Sequence, residues 1–174
     1  MPIEPDTKDW TWVLHERCPE CGFDPLEVDR DDLGRRIRHA AAAMHERMHG
    51  ERVTERPDDA TWSPLDYAAH VRDVCGVMQT RLHQMLAEDD PEFASWDQDR
   101  AAIDGAYASQ QPEHVAAEVD VAAASLANAA DAVPSDAWER SGRRSNGSVF
   151  TVQTLLEYAL HDLEHHVWDV TKQQ

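Results

Sequence analysis

Histidine is the residue type whose number and spacing in this sequence most directly predict chemistry. The chain of 174 residues contains ten histidines. His161 and His165 are four positions apart, which places both imidazoles on one face of a helix, one turn apart. Two imidazoles in this arrangement can bind one divalent ion, but two ligands do not usually hold an ion alone. The spacing therefore predicts a metal site that takes a further ligand from another segment.

His70 is the candidate for that third ligand. It follows Tyr67 by three positions and precedes Val74 by four, so it lies on the apolar side of its predicted helix. A buried imidazole needs hydrogen bonds or a metal to offset its lost hydration, and three inward imidazoles satisfy one another best through a cation. From spacing alone, ordinary hydrogen-bonded core histidines are an equal alternative. His166 could replace His165 as a ligand, although the spacing from His161 favours His165.

A second set of potential metal ligands lies in the segment Cys18-Pro19-Glu20-Cys21-Gly22. This pattern is typical of turns in zinc ribbons and rubredoxins, where two thiolates face one metal. A complete zinc site needs two more ligands, and His15 is one candidate. The alternatives are a separate site with a histidine, an approach to the central metal, a redox-active dithiol and an inert turn. Nearby aromatic residues predict that this segment packs on the rest of the protein.

An ion held by three neutral histidines keeps its charge and leaves a coordination position open. Such an ion can lower the pKa of bound water, or hold a thiol as the thiolate. Asp66 and Asp73 lie one turn before and one turn after His70, and they are the candidate general bases. Asp162 is a third candidate. Each carboxylate could instead orient a ligand imidazole.

The elements that must position these residues are helices. Apolar periodicity predicts helices near residues 31–49, 63–87, 112–132 and 151–170, and no segment has a convincing strand pattern. The second helix has the clearest start, because Ser63 can cap it, Pro64 suits the first position and Asp66 can complete a capping box. Cys75 lies in the apolar stripe of this helix and is predicted to be core. Four amphipathic helices indicate an all-α four-helix bundle.

The segments between the helices complete the predicted architecture. Residues 89–110 contain three aromatic residues and predict an ordered crossover, which lets the third helix run in the same direction as the second. Residues 138–149 predict a turn-rich loop or a short hairpin. The predicted division is an N-terminal extension with the Cys-x-x-Cys turn over residues 1–30 and the bundle over residues 31–174.

Charge and composition exclude several classes of function. The chain has 16 basic and 34 acidic residues, a net charge of −18, and such a surface repels nucleic acids and anionic membranes. No apolar run reaches the ~18 residues of a spanning helix, and the first residues lack the pattern of a signal peptide. Three cysteines are too few for a disulfide framework. We therefore expect a cytoplasmic protein that acts on a small molecule and binds neither nucleic acid nor membranes.

The segments Trp62–Asp73 and His161–His166 resemble the DinB-like family of bacterial four-helix-bundle proteins. That family has a helix-2 histidine after a Trp-x-Pro type of cap and a His-x-x-x-His on helix 4, and the resemblance extends over about residues 31–170. It implies an up-down-down-up bundle and a divalent metal, often zinc or nickel, held by three histidines. These correspond here to His70, His161 and His165. Some relatives are similar to transferases that use a low-molecular-weight thiol such as bacillithiol or mycothiol.

Three functions remain open at this point. The first is a metal-dependent enzyme, either a thiol S-transferase or a hydrolase. The second is a metal-binding stress or storage protein without turnover, and the third is an interaction module that forms a homodimer and does not use its histidines. Metal content separates the third from the others. Reaction with an added thiol and electrophile separates the first from the second.

Overall fold

The computed structural model describes residues 8–173, which form five α-helices and three short strands. The helices are α1 (Leu33–Arg47), α2 (Pro64–Ala87), α3 (Gln98–Asp104), α4 (Pro112–Asp131) and α5 (Val152–Lys172). The strands are β1 (Glu92–Phe93), β2 (Ser141–Arg144) and β3 (Val149–Thr151). The four long helices, α1, α2, α4 and α5, correspond to the four predicted helices and confirm the all-α bundle. No helix within residues 8–173 is long and apolar enough to cross a membrane.

Contacts between side chains establish the directions of the four long helices. The pairs Arg36–Glu164 and Arg47–Thr171 advance together along α1 and α5, so these two helices are parallel. Further contacts show that α2 and α4 are parallel to each other and that α1 and α4 are antiparallel. These contacts are Arg72–Glu118 and Gln79–Ser125 for α2 with α4, and Arg38–Asp131 and His45–Asp120 for α1 with α4. The order is therefore up-down-down-up, and α1 and α2 each pack mainly on α4 and α5.

The connection between α2 and α4 is an ordered crossover, as predicted. It contains β1 and α3, and its aromatic residues Phe93 and Tyr107 are buried in the main core. Trp96 packs against the same core. These contacts fix the long segment that allows α4 to run in the direction of α2.

A small sheet lies at the edge of the bundle. The sequence predicts at most a short hairpin over residues 138–149, and it does not predict a third strand. Strands β2 and β3 form an antiparallel hairpin, and β1 pairs with β2 in parallel. Gly142 in β2 lies close to α2, since a Cβ there would be 2.7 Å from Met85 Cγ. Strands of two to four residues are too short to show an alternating pattern. The sheet is minor and leaves the helical fold unchanged.

The N-terminal segment packs on the bundle through Val13, Cys18 and Phe23, which are all buried. It contains 3-10 turns at Trp10–Leu14, Pro25–Glu27 and Arg30–Asp32. Residues 1–7 of the predicted extension, and most of the stretch assessed for a signal peptide, lie outside the described residues. The predicted boundary at residue 30 falls in the turn that leads directly into α1, and the division into two domains stays a prediction.

The start of α2 has the predicted capping box. Ser63 Oγ accepts a hydrogen bond from the Asp66 backbone N–H at 3.1 Å, and the Asp66 carboxylate accepts one from the Ser63 backbone N–H at 3.1 Å. Asp66 is buried and also pairs with Arg56 at 3.1 Å. The cap therefore fixes the first turn of the helix that carries His70.

We expect Ser63→Ala to lower the free energy of unfolding by about 1–2 kcal/mol. The substitution removes the acceptor for the Asp66 N–H and weakens the interactions of a buried carboxylate. Urea unfolding followed by far-UV circular dichroism measures the change. Ser135 is exposed, so Ser135→Ala is the control and should change the value by less than about 0.5 kcal/mol. Equal stability of the two variants would contradict the prediction.

Candidate metal centres

A cleft of about 260 Å³ lies between α2, α3, α5 and the N-terminal segment. Its wall combines aromatic rings, imidazoles and carboxylates. The lining residues are Trp10, Ala60, Trp62, Tyr67, Gln98, Asp99, Tyr158, His161, Asp162, His165, His166 and Asp169. Among these described lining residues there is no lysine or arginine. The cleft therefore has an acidic and aromatic interior into which several potential metal ligands project.

Helix α5 presents two pairs of ligands, His161 with His165 and Asp162 with His166. Each pair spans one helical turn. Successive residues of an α-helix are rotated by about 100°, so the second pair faces a different neighbour from the first. The two pairs consequently belong to two separate clusters.

The first cluster consists of Cys18, Cys21, His161 and His165, and we call it the Cys2His2 cluster. One ligand atom from each residue lies within 4.8 Å of the ligand atoms of the others. Cys18 Sγ is 3.7 Å from His165 Nδ1. The turn that carries the thiols is closed by the Gly22 N–H, which donates to the Cys18 carbonyl at 3.0 Å. Gly22 has a φ of +80°, a backbone conformation that glycine adopts at little cost.

Burial controls the protonation of the Cys2His2 cluster. It lowers the pKa of His161 to about 4, with a further lowering by the neighbouring His165, so His161 is neutral near pH 7. His161 Nε2 is buried and has no hydrogen-bond partner. Burial also raises the pKa of the Cys21 thiol to about 12. A cation fits these donors, because it would accept the imidazole lone pair and stabilise the thiolates.

The second cluster consists of His70, Asp162 and His166, and we call it the His-Asp-His cluster. His70 Nε2 lies 3.3 Å from Asp162 Oδ2, and His166 Nε2 lies 3.8 Å from Asp162 Oδ1. The His70 ring is fully buried and stacks on Trp96 with a centroid distance of 5.4 Å. These contacts bring one side chain of α2 and two of α5 together beside the cleft.

Several polar atoms of the His-Asp-His cluster are buried without a hydrogen bond. They are Nδ1 of His70, and the pair of His70 Nε2 and Asp162 Oδ2, which face each other at 3.3 Å without the geometry of a hydrogen bond. Burial by itself would raise the pKa of Asp162, but the nearby imidazoles of His166 and His70 outweigh it and keep that pKa well below its usual range. Unpaired buried polar atoms are rare because they cost free energy. An ionised carboxylate and two imidazoles at this spacing fit a divalent cation.

Asp169 connects the two clusters. Its Oδ2 atom accepts a hydrogen bond from His166 Nδ1 at 3.0 Å and lies 3.7 Å from His165 Nε2. Lys172 Nζ pairs with its other oxygen at 3.0 Å. A carboxylate behind a ligand imidazole fixes the tautomer and the orientation of the ring. For His166 this leaves Nε2 directed toward Asp162.

The structure distributes the predicted metal ligands differently from the sequence analysis. His70, His161 and His165 were assigned to one ion, but His70 lies with Asp162 and His166, while His161 and His165 lie with Cys18 and Cys21. The rotation between successive residues of α5 is the physical reason. The signal for this cluster in the sequence is the pair Asp162-x-x-x-His166, which has the same four-residue spacing as His161 and His165. Metal binding by these residues stays a prediction.

The two carboxylates suggested as general bases have other contacts. Asp66 forms the capping box of α2 and the ion pair with Arg56. Asp73 accepts hydrogen bonds from the Tyr107 hydroxyl and from Arg72 Nε. Neither belongs to either cluster within residues 8–173. Their catalytic role stays a prediction, and of the three candidate bases Asp162 is the one that the fold brings to the imidazoles of His70 and His166.

Comparisons with known proteins agree with this architecture. YfiT from Bacillus subtilis has a similar structure, with a TM-score of 0.74 and 14% sequence identity, over 82% of this chain and 84% of that chain. It is described as a probable metal-dependent hydrolase with an unusual four-helix bundle topology. No curated protein sequence matches this chain. The family model of the DinB superfamily matches residues 33–170, from the start of α1 almost to the end of α5. The chain therefore belongs to the DinB superfamily.

Proposed function

We propose that this protein is a metal-dependent hydrolase whose active site is the His-Asp-His cluster beside the cleft. The observation that carries the proposal is the convergence of His70, Asp162 and His166, where His70 Nδ1 is buried without a hydrogen-bond partner. Membership of the DinB superfamily supports a metal-dependent protein. The description of YfiT as a probable metal-dependent hydrolase supports the same class of reaction.

Three protein ligands leave room for water or substrate at a divalent ion. Asp162 and His166 line the cleft, while His70 lies behind them, packed against Trp62 and Trp96. A bound divalent cation would supply Lewis acidity, which lowers the pKa of water and polarises a carbonyl. Zinc fits two imidazoles and a carboxylate, and nickel is the alternative ion.

The side chains of this cluster have separable roles in the proposed reaction. His70 and His166 each offer a ring nitrogen, and Asp162 offers a negative charge that offsets part of the charge of a cation. Asp169 holds the His166 ring by the hydrogen bond at Nδ1. The rings of Trp62 and Tyr67 form an apolar wall beside the cluster and limit its access to bulk water.

The lining of the cleft indicates a class of substrate. Asp99, Asp162 and Asp169 make it acidic, and four aromatic rings surround them. A divalent ion at Asp162 and the ion pair of Asp169 with Lys172 would offset most of this negative charge, while the aromatic faces favour apolar and cationic groups. We infer that the substrate is a small uncharged or cationic ester or amide.

The proposed location is the cytoplasm. Cys18, Cys21 and Cys75 are all thiols rather than disulfides in the structure. A reducing compartment keeps thiols in this state. We also propose that the protein has no nucleic-acid partner, since its net charge is −18.

The test compares His70→Ala with His83→Ala. His83 lies on the same helix but is exposed, so it is a matched control for the loss of an imidazole. We expect His70→Ala to lose bound metal and at least about 100-fold in kcat/KM on uncharged or cationic esters and amides, whereas His83→Ala retains both. Metal per chain and initial rates with zinc or nickel are the measurements.

Other outcomes of the same experiment would overturn hydrolysis. Turnover of an electrophile only when a low-molecular-weight thiol is added would assign thiol S-transfer to the open coordination position. Bound metal without turnover of any substrate would assign a non-catalytic metal-binding protein. Full metal content and full rate in His70→Ala would show that the active site lies elsewhere.

A further inference from the structure

We propose that Cys18, Cys21, His161 and His165 form a closed structural zinc site, distinct from the catalytic cluster, which fastens the N-terminal segment to α5. The site holds its own ion and takes no part in turnover. It joins two segments that are more than a hundred positions apart in the chain, as the contact between Cys18 and His165 shows.

The spacing of the donor atoms is that of a tetrahedral zinc site. With zinc distances of 2.3 Å to sulfur and 2.1 Å to nitrogen, a tetrahedron separates sulfur from nitrogen by about 3.6 Å. Cys18 Sγ and His165 Nδ1 are 3.7 Å apart. All four donor atoms lie within 4.8 Å of one another, so a small adjustment of side chains places one ion between them.

The surroundings of the site are those of a closed structural centre. Cys18, His161 and His165 are buried, and the ring of Phe23 packs edge-on against His161 at a centroid distance of 5.3 Å. Trp10 covers both imidazoles, at 5.8 Å from His161 and 5.2 Å from His165. Four protein donors complete a tetrahedron and leave no position for water or substrate, unlike the three donors of the His-Asp-His cluster.

The second nitrogen of His165 supports the same assignment. His165 Nε2 lies 3.7 Å from Asp169 Oδ2 and 3.8 Å from Glu20 Oε2. Zinc-bound imidazoles characteristically direct their other N–H toward a carboxylate. With Nδ1 toward the thiols and Nε2 toward two carboxylates, the ring has the orientation that a zinc ligand requires.

The zinc site also builds part of the wall of the cleft. Trp10 lines the cleft and rests on the two imidazoles of the site. The stretch from Arg17 to Asp29 contains only a three-residue 3-10 helix and a turn in place of long helices or strands, so little local structure holds it. An ion that ties this stretch to α5 would keep Trp10 over the cleft. Binding of the ion would be coupled to the folding of the stretch.

The experiment replaces Cys21 with Ser and uses Cys75→Ser as the control. Cys75 is a buried thiol of α2 that belongs to neither cluster. Protein without a His-tag should contain about two zinc ions per chain, Cys21→Ser about one, and Cys75→Ser the wild-type amount. Cobalt substitution should give a sulfur-to-metal charge-transfer band in the wild-type protein, and this band should be much weaker in Cys21→Ser. The Cys21→Ser protein should also be cleaved faster by proteases near residues 17–30.

A second measurement keeps the test independent of the folding of the variant. A mercurial that binds thiols should release one zinc from folded wild-type protein, detected with a zinc indicator, while helicity is unchanged. Release of no zinc, an unchanged charge-transfer band in Cys21→Ser, or a Cys18–Cys21 disulfide in protein purified without oxygen would overturn the zinc site. None of these results affects the comparison of His70→Ala with His83→Ala, so the two proposals fail separately.

Discussion

The Asp162→Ala protein is expected to lose at least about 100-fold in kcat/KM and the ion of the His-Asp-His cluster. Asp162 is the single carboxylate of that cluster, 3.3 Å from His70 Nε2 and 3.8 Å from His166 Nε2. Without it, two imidazoles would have to hold a divalent ion alone, which they rarely do. Zinc content and initial rates, measured on the same preparation, test the result.

A graded series separates the charge of Asp162 from its shape. Asp162→Asn keeps the volume and one oxygen but removes the negative charge, so its metal affinity should lie between wild type and Asp162→Ala. Asp136 is exposed, and Asp136→Asn serves as the control, with wild-type metal content and rate. The ion of the Cys2His2 cluster should remain in all three variants. Wild-type activity in Asp162→Ala would contradict the proposed active site.

The four long helices and their positions along the chain were predictable, because each helix depends on a local pattern of apolar and capping residues. The apolar stripe of α2 and the capping box at Ser63 are both visible in the sequence, and the structure confirms both. The aromatic residues of the crossover predicted that it packs, and Tyr107 is buried. Strand β1 was missed because it has two residues and is stabilised by pairing with β2, which is distant in the sequence.

The partition of the ligands could not be predicted, because it depends on the rotation of α5 and on the position of the N-terminal segment. His161, Asp162, His165 and His166 give two overlapping pairs with the same four-residue spacing, and either pair could face α2. Cys18 and Cys21 required two partners that the sequence did not specify. Long-range packing determines which ligands meet. Helix α2 brings His70 to Asp162, and the turn closed by the Gly22 N–H brings the thiols to His165.

The Leu160→Ala protein is expected to lose about 2–5 kcal/mol in the free energy of unfolding while keeping the ligands of both clusters. Leu160 is fully buried in the main core, although it lies next to His161 in the sequence. Its truncation leaves a cavity that the surrounding helices fill only in part. Urea unfolding in EDTA and in zinc measures the loss without and with metal.

Leu26 provides the control, because its side chain is 91% exposed, and Leu26→Ala should change stability by less than about 0.5 kcal/mol. Zinc adds stability in proportion to RT ln(1 + [L]/Kd) when it binds only the folded state. The loss from Leu160→Ala should therefore be similar in EDTA and in zinc, within about 0.5 kcal/mol. If wild-type protein lost its helicity in EDTA, the bundle would depend on its metals, and the apolar core would not be sufficient to hold the fold.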